Sequence, residues 1–159
     1  MTGTAPDDVA HRFAAAFSTR DVDRVLECFT SDATYSDLFY GRFSGRAGLR
    51  KLFERMYSEG DHHEWAMTRV VNSPACTIAE WCFTFTVSAA VSQSSGRTLS
   101  FHGVSVFETR AGLCHAYREY FDRGTALLAL GLSPAAVARI TARRPSVEVS
   151  APGPATLRA

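Results

Sequence analysis

The chain lacks most of the features that announce a chemistry from sequence alone. It has no surplus of charge: seventeen basic against sixteen acidic residues leave a formal +1. That is too balanced for the electrostatic footprint of a protein that holds duplex nucleic acid or an anionic membrane. Lysine is nearly missing, with Lys51 the single one among the seventeen basic residues, a bias of codon usage more than of function. Four cysteines, Cys28, Cys76, Cys82 and Cys114, never form C-x-x-C and stand at no zinc-like spacing to histidine. They read as buried thiols, not as metal ligands or disulfides. No run approaches the ~18 apolar residues of a membrane helix. The start, MTGTAPDDVAHRF, has no basic stretch followed by an apolar one, so a cytoplasmic protein is expected. A phosphate-binding glycine loop, a G-x-S-x-G elbow, an H-E-x-x-H helix and internal repeats are all missing. Nucleotide, serine-hydrolase and zinc-protease readings therefore lack their mechanical parts.

What is present is a foldable domain. The 159 residues are 46% hydrophobic and 11% aromatic, enough for one core without covalent staples. A single domain over residues 1–144 is expected, followed by a Pro, Ser, Gly and Ala-rich tail over 145–159 that has few large apolar groups to bury and is expected to be disordered.

Periodicity supplies the elements. Pro6, Asp7 and Asp8 start a helix in which Val9, Phe13, Ala16 and Phe17 share a face, and Asp21 caps a shorter one carrying Val22, Val25, Leu26 and Phe29. Thr30, Ser31 and Asp32 form a stop, and 33–38 reads as a short strand. Gly41, Gly45 and Gly48 punctuate a loop before a third helix with Leu49, Leu52, Phe53, Met56 and Tyr57 on one stripe, ending near Gly60. Then come four long β-rich segments, 63–72, 77–91, 98–109 and 113–122, joined by short turns. A helical turn over 125–130 and a helix over 133–142, with Ser133 as cap and Pro134 at its first position, close the pattern. Helices gathered before strands that are joined by short turns predict an α+β layer arrangement, a curved sheet wrapped around helices.

The chemistry available is carboxylates among aromatic rings on strands, the raw material of acid–base catalysis in an apolar pocket. Alternation places Tyr35 with Asp37, Trp81 with Phe83 and Phe85, and Phe101 with Gly103, Ser105 and Phe107. The small pair Gly103 and Ser105 suggests a hollow between two rings, fit for a flat or hydrocarbon-like ligand. In the last strand Tyr117, Glu119 and Phe121 share a side. Alternation turns His102 away from this hollow, leaves Glu80 to solvent and puts His62 and His63 at a loop-to-strand junction, as surface or rim residues.

The helix order, the segment YSDLFYG and the closing run FHGVSVFETRAGLCHAYREYFD resemble the SnoaL-like polyketide cyclases, in the superfamily of ketosteroid isomerase, limonene epoxide hydrolase and nuclear transport factor two. The resemblance spans about residues 6–132 and implies a cone-shaped α+β barrel with a curved mixed sheet. It implies a cofactor-independent, metal-free cyclase or isomerase acting on a polyketide-type small molecule, most concretely by epoxide opening, in a homodimer of secondary metabolism. Asp37 falls at the general-base position of the isomerases, Glu64 at the partner carboxylate of polyether epoxide-opening cyclases, and Glu119 at the last acid of the epoxide hydrolase triad. Asp37 as base and Glu64 as acid, with roles exchangeable, is the resulting assignment. Tyr35, Trp65, Trp81, Phe83, Phe101, Gly103, Ser105, Phe107 and Tyr117 are the expected substrate-contacting set, though the sequence does not separate pocket wall from core. The sequence departs from the hydrolase where Trp81 and Phe83 replace an arginine and an aspartate, and from the isomerase where Gly103 replaces a hydrogen-bonding aspartate. The alternative reading is a non-catalytic small-molecule-binding or interaction domain of the same fold.

Overall fold

A computed structural model describes residues 8–145. The expected helix start at Pro6 and Asp7 and the tail beyond Pro145 lie outside the described residues. Asp8 and Asp21 accept backbone N–H groups at the starts of α1 (Val9–Ser18) and α2 (Val22–Leu26). These caps satisfy donors that have no partner inside a helix. β1 (Phe29–Asp37) follows, then β2 (Gly41–Ser44), α3 (Gly45–Glu59), β3 (Gly60–Asn72), β4 (Cys76–Val87), β5 (Thr98–Arg110), β6 (Leu113–Phe121), α4 (Arg123–Ala129) and α5 (Pro134–Arg143).

Six strands form one mixed sheet in the order β2-β1-β6-β5-β4-β3. β1 and β6 run parallel, and every other pair is antiparallel. The α+β sheet around helices is therefore what the sequence predicts, with three local differences. β1 begins at Phe29, so Thr30 to Asp32 lie within a strand whose register shifts before Thr34. The glycine-rich loop contains β2, because Gly41 at φ +96° closes a turn over residues 38–40 and pairs with Asp37. The strand expected to reach 91 ends at Val87, where Ser88 turns its hydroxyl onto the Ser58 carbonyl at 2.6 Å.

The core sits between the helices and the concave sheet face. Phe13 is its hub, with rings of Phe17, Phe29, Tyr35, Phe53, Trp65, Phe107 and Tyr117 within 6.5 Å of its centroid. Trimming such a side chain to alanine costs about 3–5 kcal/mol. Cys28 and Cys114 are buried, their thiols pushed up to about 11 and about 12 chiefly by desolvation. Cys76 and Cys82 are only half-buried, and all four are free. No helix among the described residues is long and apolar enough to cross a membrane.

Candidate active site

Strand register builds the site. The parallel pairing sets Tyr35 opposite Tyr117, so two residues further along both strands Asp37 lies beside Glu119. Each carboxyl is 6% exposed, and the two are hydrogen-bonded to each other. Asp37 Oδ1 accepts the backbone N–H groups of Phe39 and Tyr40 at 2.6 and 2.7 Å. The same aspartate thus shapes the turn after β1 and presents its free oxygen to the site.

The environments divide the pair. Burial raises Asp37 to about 6, against the pull of the Tyr40 and Phe39 N–H groups, the Glu119 hydrogen bond and Arg144. Burial also raises Glu119, and repulsion from Asp37 adds to it, so Glu119 lies well above the ordinary carboxylate range. Near neutral pH, Glu119 keeps its proton and Asp37 is ionised.

Behind Glu119 runs a directional relay. The Trp81 indole can only donate, and its Nε1–H reaches Ser105 Oγ at 2.8 Å. Ser105 is thereby free to donate to the Tyr117 hydroxyl at 2.7 Å, which donates to Glu119 Oε2 at 2.8 Å. Leu38 N–H reaches Oε1 at a longer 3.3 Å. Glu119 is held in place by weaker donors than those on Asp37, consistent with its being the protonated partner.

Both carboxyls open into a cavity of about 420 Å³. Trp65, Trp81, Phe83 and Phe101 line it as expected, joined by Phe39, Tyr40, Phe85 and Phe121. Tyr35, Gly103, Ser105, Phe107 and Tyr117 do not. Tyr35, Ser105 and Phe107 are wholly buried, Tyr117 is 1% exposed, and the Tyr35 and Tyr117 rings stack at 4.0 Å. The hollow expected at Gly103 and Ser105 is filled by Trp81, which pairs with Gly103 across the strands. A Cβ on Gly103 would stand 2.4 Å from the indole and 2.7 Å from the Tyr120 carbonyl oxygen. The small residues make room for a tryptophan, not for a ligand.

Glu64 is not brought to the pair. It is exposed on the outer side of β3, while its neighbour His63 is buried and faces the cavity, which corrects both expectations. His63 Nδ1 lies 3.1 Å from Arg20 Nη1, and a guanidinium can only donate. Nδ1 is therefore the acceptor, and the proton of the neutral ring sits on Nε2. Burial, with Arg20 beside it, drives the imidazole down to about 4. His102 and Glu80 are exposed, as alternation predicts.

Several lining residues carry no catalytic signature in the sequence. Glu59, which accepts the Tyr40 hydroxyl at 2.7 Å, comes from the end of α3, and Leu127, Leu130, Leu132, Ile140, Arg143 and Arg144 come from the two terminal helices and their link. The apolar spacing of Leu127, Leu130, Leu132 and Ile140 is the signal available for four of them, and Arg143 and Arg144 carry none. Among the described residues no cluster of three metal-ligating side chains occurs.

Residues 10–117 match the sequence model of the SnoaL-like domain, more than half of the chain. The chain belongs to that family. Among curated proteins none matches it. Solved structures that share the SnoaL-like protein's fold include a hypothetical protein with a ketosteroid isomerase-like fold from Catenulispora acidiphila in complex with trimethylamine. It is 18% identical, with 82% of this chain and 96% of the other covered, at TM-score 0.70. A candidate polyketide cyclase from Xanthomonas campestris is 17% identical over 77% and 93% of the two chains, at 0.64. An epoxide hydrolase of the limonene epoxide hydrolase-like type from M. tuberculosis is 21% identical over 82% and 92%, at 0.63. At these identities the likeness establishes the cone-shaped fold of this SnoaL-like protein, and its chemistry rests on the site.

Proposed function

We propose that this SnoaL-like protein is a cofactor-independent acid–base cyclase or isomerase acting on a polyketide-type small molecule. The observation that carries the proposal is a buried pair of neighbouring carboxyls opening into an aromatic cavity, with burial raising both and repulsion from Asp37 raising Glu119 further. Two carboxyls pushed apart in proton affinity supply an acid and a base at one pH.

In the epoxide-opening form, Glu119 gives its proton to the epoxide oxygen as the carbon–oxygen bond breaks. The substrate's own hydroxyl forms the new carbon–oxygen bond, and Asp37 takes the proton that hydroxyl loses. The pair ends with one proton, as it began, and their mutual hydrogen bond returns it to Glu119. Glu119 thus takes the acid role that the resemblance gives to Glu64. The aromatic wall holds a flexible chain with hydroxyl and epoxide in contact, and such orientation supplies several kcal/mol of a barrier.

The test is cyclisation of a hydroxy-epoxide of polyketide type by the purified protein and by Asp37→Asn. The variant should turn over about 10²–10⁴-fold more slowly, the range for removal of a general base. Equal rates would overturn the proposal. Saturable binding without turnover by the parent protein would establish the ligand-binding alternative in its place.

A further inference from the structure

The carboxyl pair leaves the basic part of the cavity wall unexplained. No residue of α5 is buried, yet the helix and the residue after it bring Ile140, Arg143 and Arg144 to the cavity wall. A third cation, Arg55, is ion-paired to Glu59 at 2.8 Å and lies over the Tyr40 ring. Arg144 donates to the Phe39 carbonyl at 2.8 Å and acts on Asp37 electrostatically, without a direct ion pair to it. Arg143 is exposed and has no hydrogen bond or ion pair among the described residues. With Glu119 protonated and His63 neutral, three guanidiniums among the described lining residues face two carboxylates, Asp37 and Glu59, one positive charge in excess. The walls between are apolar and aromatic.

We propose that the cavity takes a monoanionic ligand, a carboxylate on a flat apolar body, with the carboxylate on Arg143 and Arg144 and the rings against Phe39, Phe101 and Phe121. This rests on the cavity being the substrate site, and it names the class of substrate that site accepts. Planar guanidiniums match a carboxylate geometrically, and Arg143 and Arg144, adjacent in sequence and both exposed on the cavity wall, are placed to offer that match. Arginines at a helix C-terminus also offset the helix dipole. Arg139 shares that effect one turn earlier, is exposed and does not line the cavity, so it separates the two roles.

Isothermal titration at about pH 8, where a carboxylic acid is ionised, would compare a naphthalene carboxylate, its neutral carboxamide and a naphthylmethylammonium ion. The carboxylate should bind about tenfold more tightly than the amide, the scale of one or two charge-assisted hydrogen bonds. Arg143→Gln should bring it towards the amide's affinity without moving the amide, Arg143→Lys should restore part of the gap, and Arg139→Gln should leave it intact. Equal affinities, preference for the ammonium ion, no binding of any of the three, or a preference that survives Arg143→Gln with Arg144→Gln would each overturn the proposal. Asp37→Asn should keep the carboxylate preference. A cavity that selects the acid while Asp37→Asn cyclises normally would refute the acid–base reading and leave the ligand class standing, and loss of selectivity with normal Asp37 dependence would do the reverse.

Discussion

Two buried titratable clusters face the same cavity from different parts of the sheet. The Asp37–Glu119 pair lies on β1 and β6, and His63 lies on the edge strand β3. Both are displaced from ordinary proton affinity, and in both the leading cause is burial. Their hydrogen-bonding valence differs. Asp37 spends one oxygen on two turn N–H groups, and no backbone donor is bound to the other. His63 spends Nδ1 on Arg20, and its Nε2 is packed against Gly60, where a Cβ would stand 2.4 Å away. Arg20 also donates to the carbonyls of Tyr57, Gly60 and Asp61 at 2.6–3.0 Å, tying the α1–α2 connection to the junction of α3 and β3. A shifted proton affinity marks burial, and only the leftover valence marks a group free to exchange protons with a substrate.

The largest expected contrast follows from that difference. Glu119→Gln keeps an acceptor for Tyr117 and a donor for Asp37 but has no proton to give, so turnover should fall about 10²–10⁴-fold with the melting temperature held or raised. Arg20→Ala should do the opposite. It strips the donor from three carbonyls and His63, which costs about 3 kcal/mol, or roughly 6–12 °C in melting temperature, while the folded fraction turns over normally. A loss of turnover in Arg20→Ala below its melting range would place the histidine cluster in the chemistry and collapse the distinction.

The two clusters should also tilt stability with pH in opposite directions. Asp37 is raised in the folded state, so its contribution is full below about pH 4 and is lost as pH rises through about 6. His63 is lowered from 6.5 to about 4, so its contribution is full above about pH 6.5 and is lost as pH falls towards 4. Each contribution is on the order of 2–3 kcal/mol, because every tenfold change in proton affinity between the unfolded and folded chain corresponds to about 1.4 kcal/mol. Relative to the parent protein, Asp37→Asn should be most stabilised near pH 8 and converge with it near pH 4. His63→Phe should be most destabilised near pH 8 and close the gap on acidification. Denaturant midpoints at the two pH values read both slopes, and parallel curves for the two variants would contradict the assignment.

The elements were largely legible because they rest on local rules: Asp8, Asp21 and Ser133 cap the helices the sequence places there, and three of the four long strands end within two residues of expectation. The site was legible only where it lies within one strand. Asp37 could be picked out from its own segment, but its partnership with Glu119 depends on the parallel register of strands about eighty residues apart. The relay behind Glu119 requires Ser105 to lie opposite it across β5 and β6, which no single-segment pattern contains. Gly103 shows the same limit in reverse. Its missing side chain reads as an empty space until the pairing with Trp81 fills it.

The smallest expected effect concerns the inner face of β3. His63 and Glu64 are neighbours on opposite faces of that strand, so one of them had to face the cavity, and a slip of one residue exchanges them. Alternation inward from Trp65 selects His63, whereas the positional resemblance selects Glu64. The register shift between Gly60 and His62 adds an extra residue at Asp61, so both Gly60 and His63 are buried three positions apart. Glu64, paired in register with Thr84, is left on the solvent side with no ion pair among the described residues. Glu64→Gln should therefore change stability by less than about 0.5 kcal/mol, as exposed substitutions do, and leave cyclisation at the parent rate. A loss of turnover comparable to that of Glu119→Gln would mean that β3 pairs one residue out of register during the proposed reaction, and would return Glu64 to the site in place of His63.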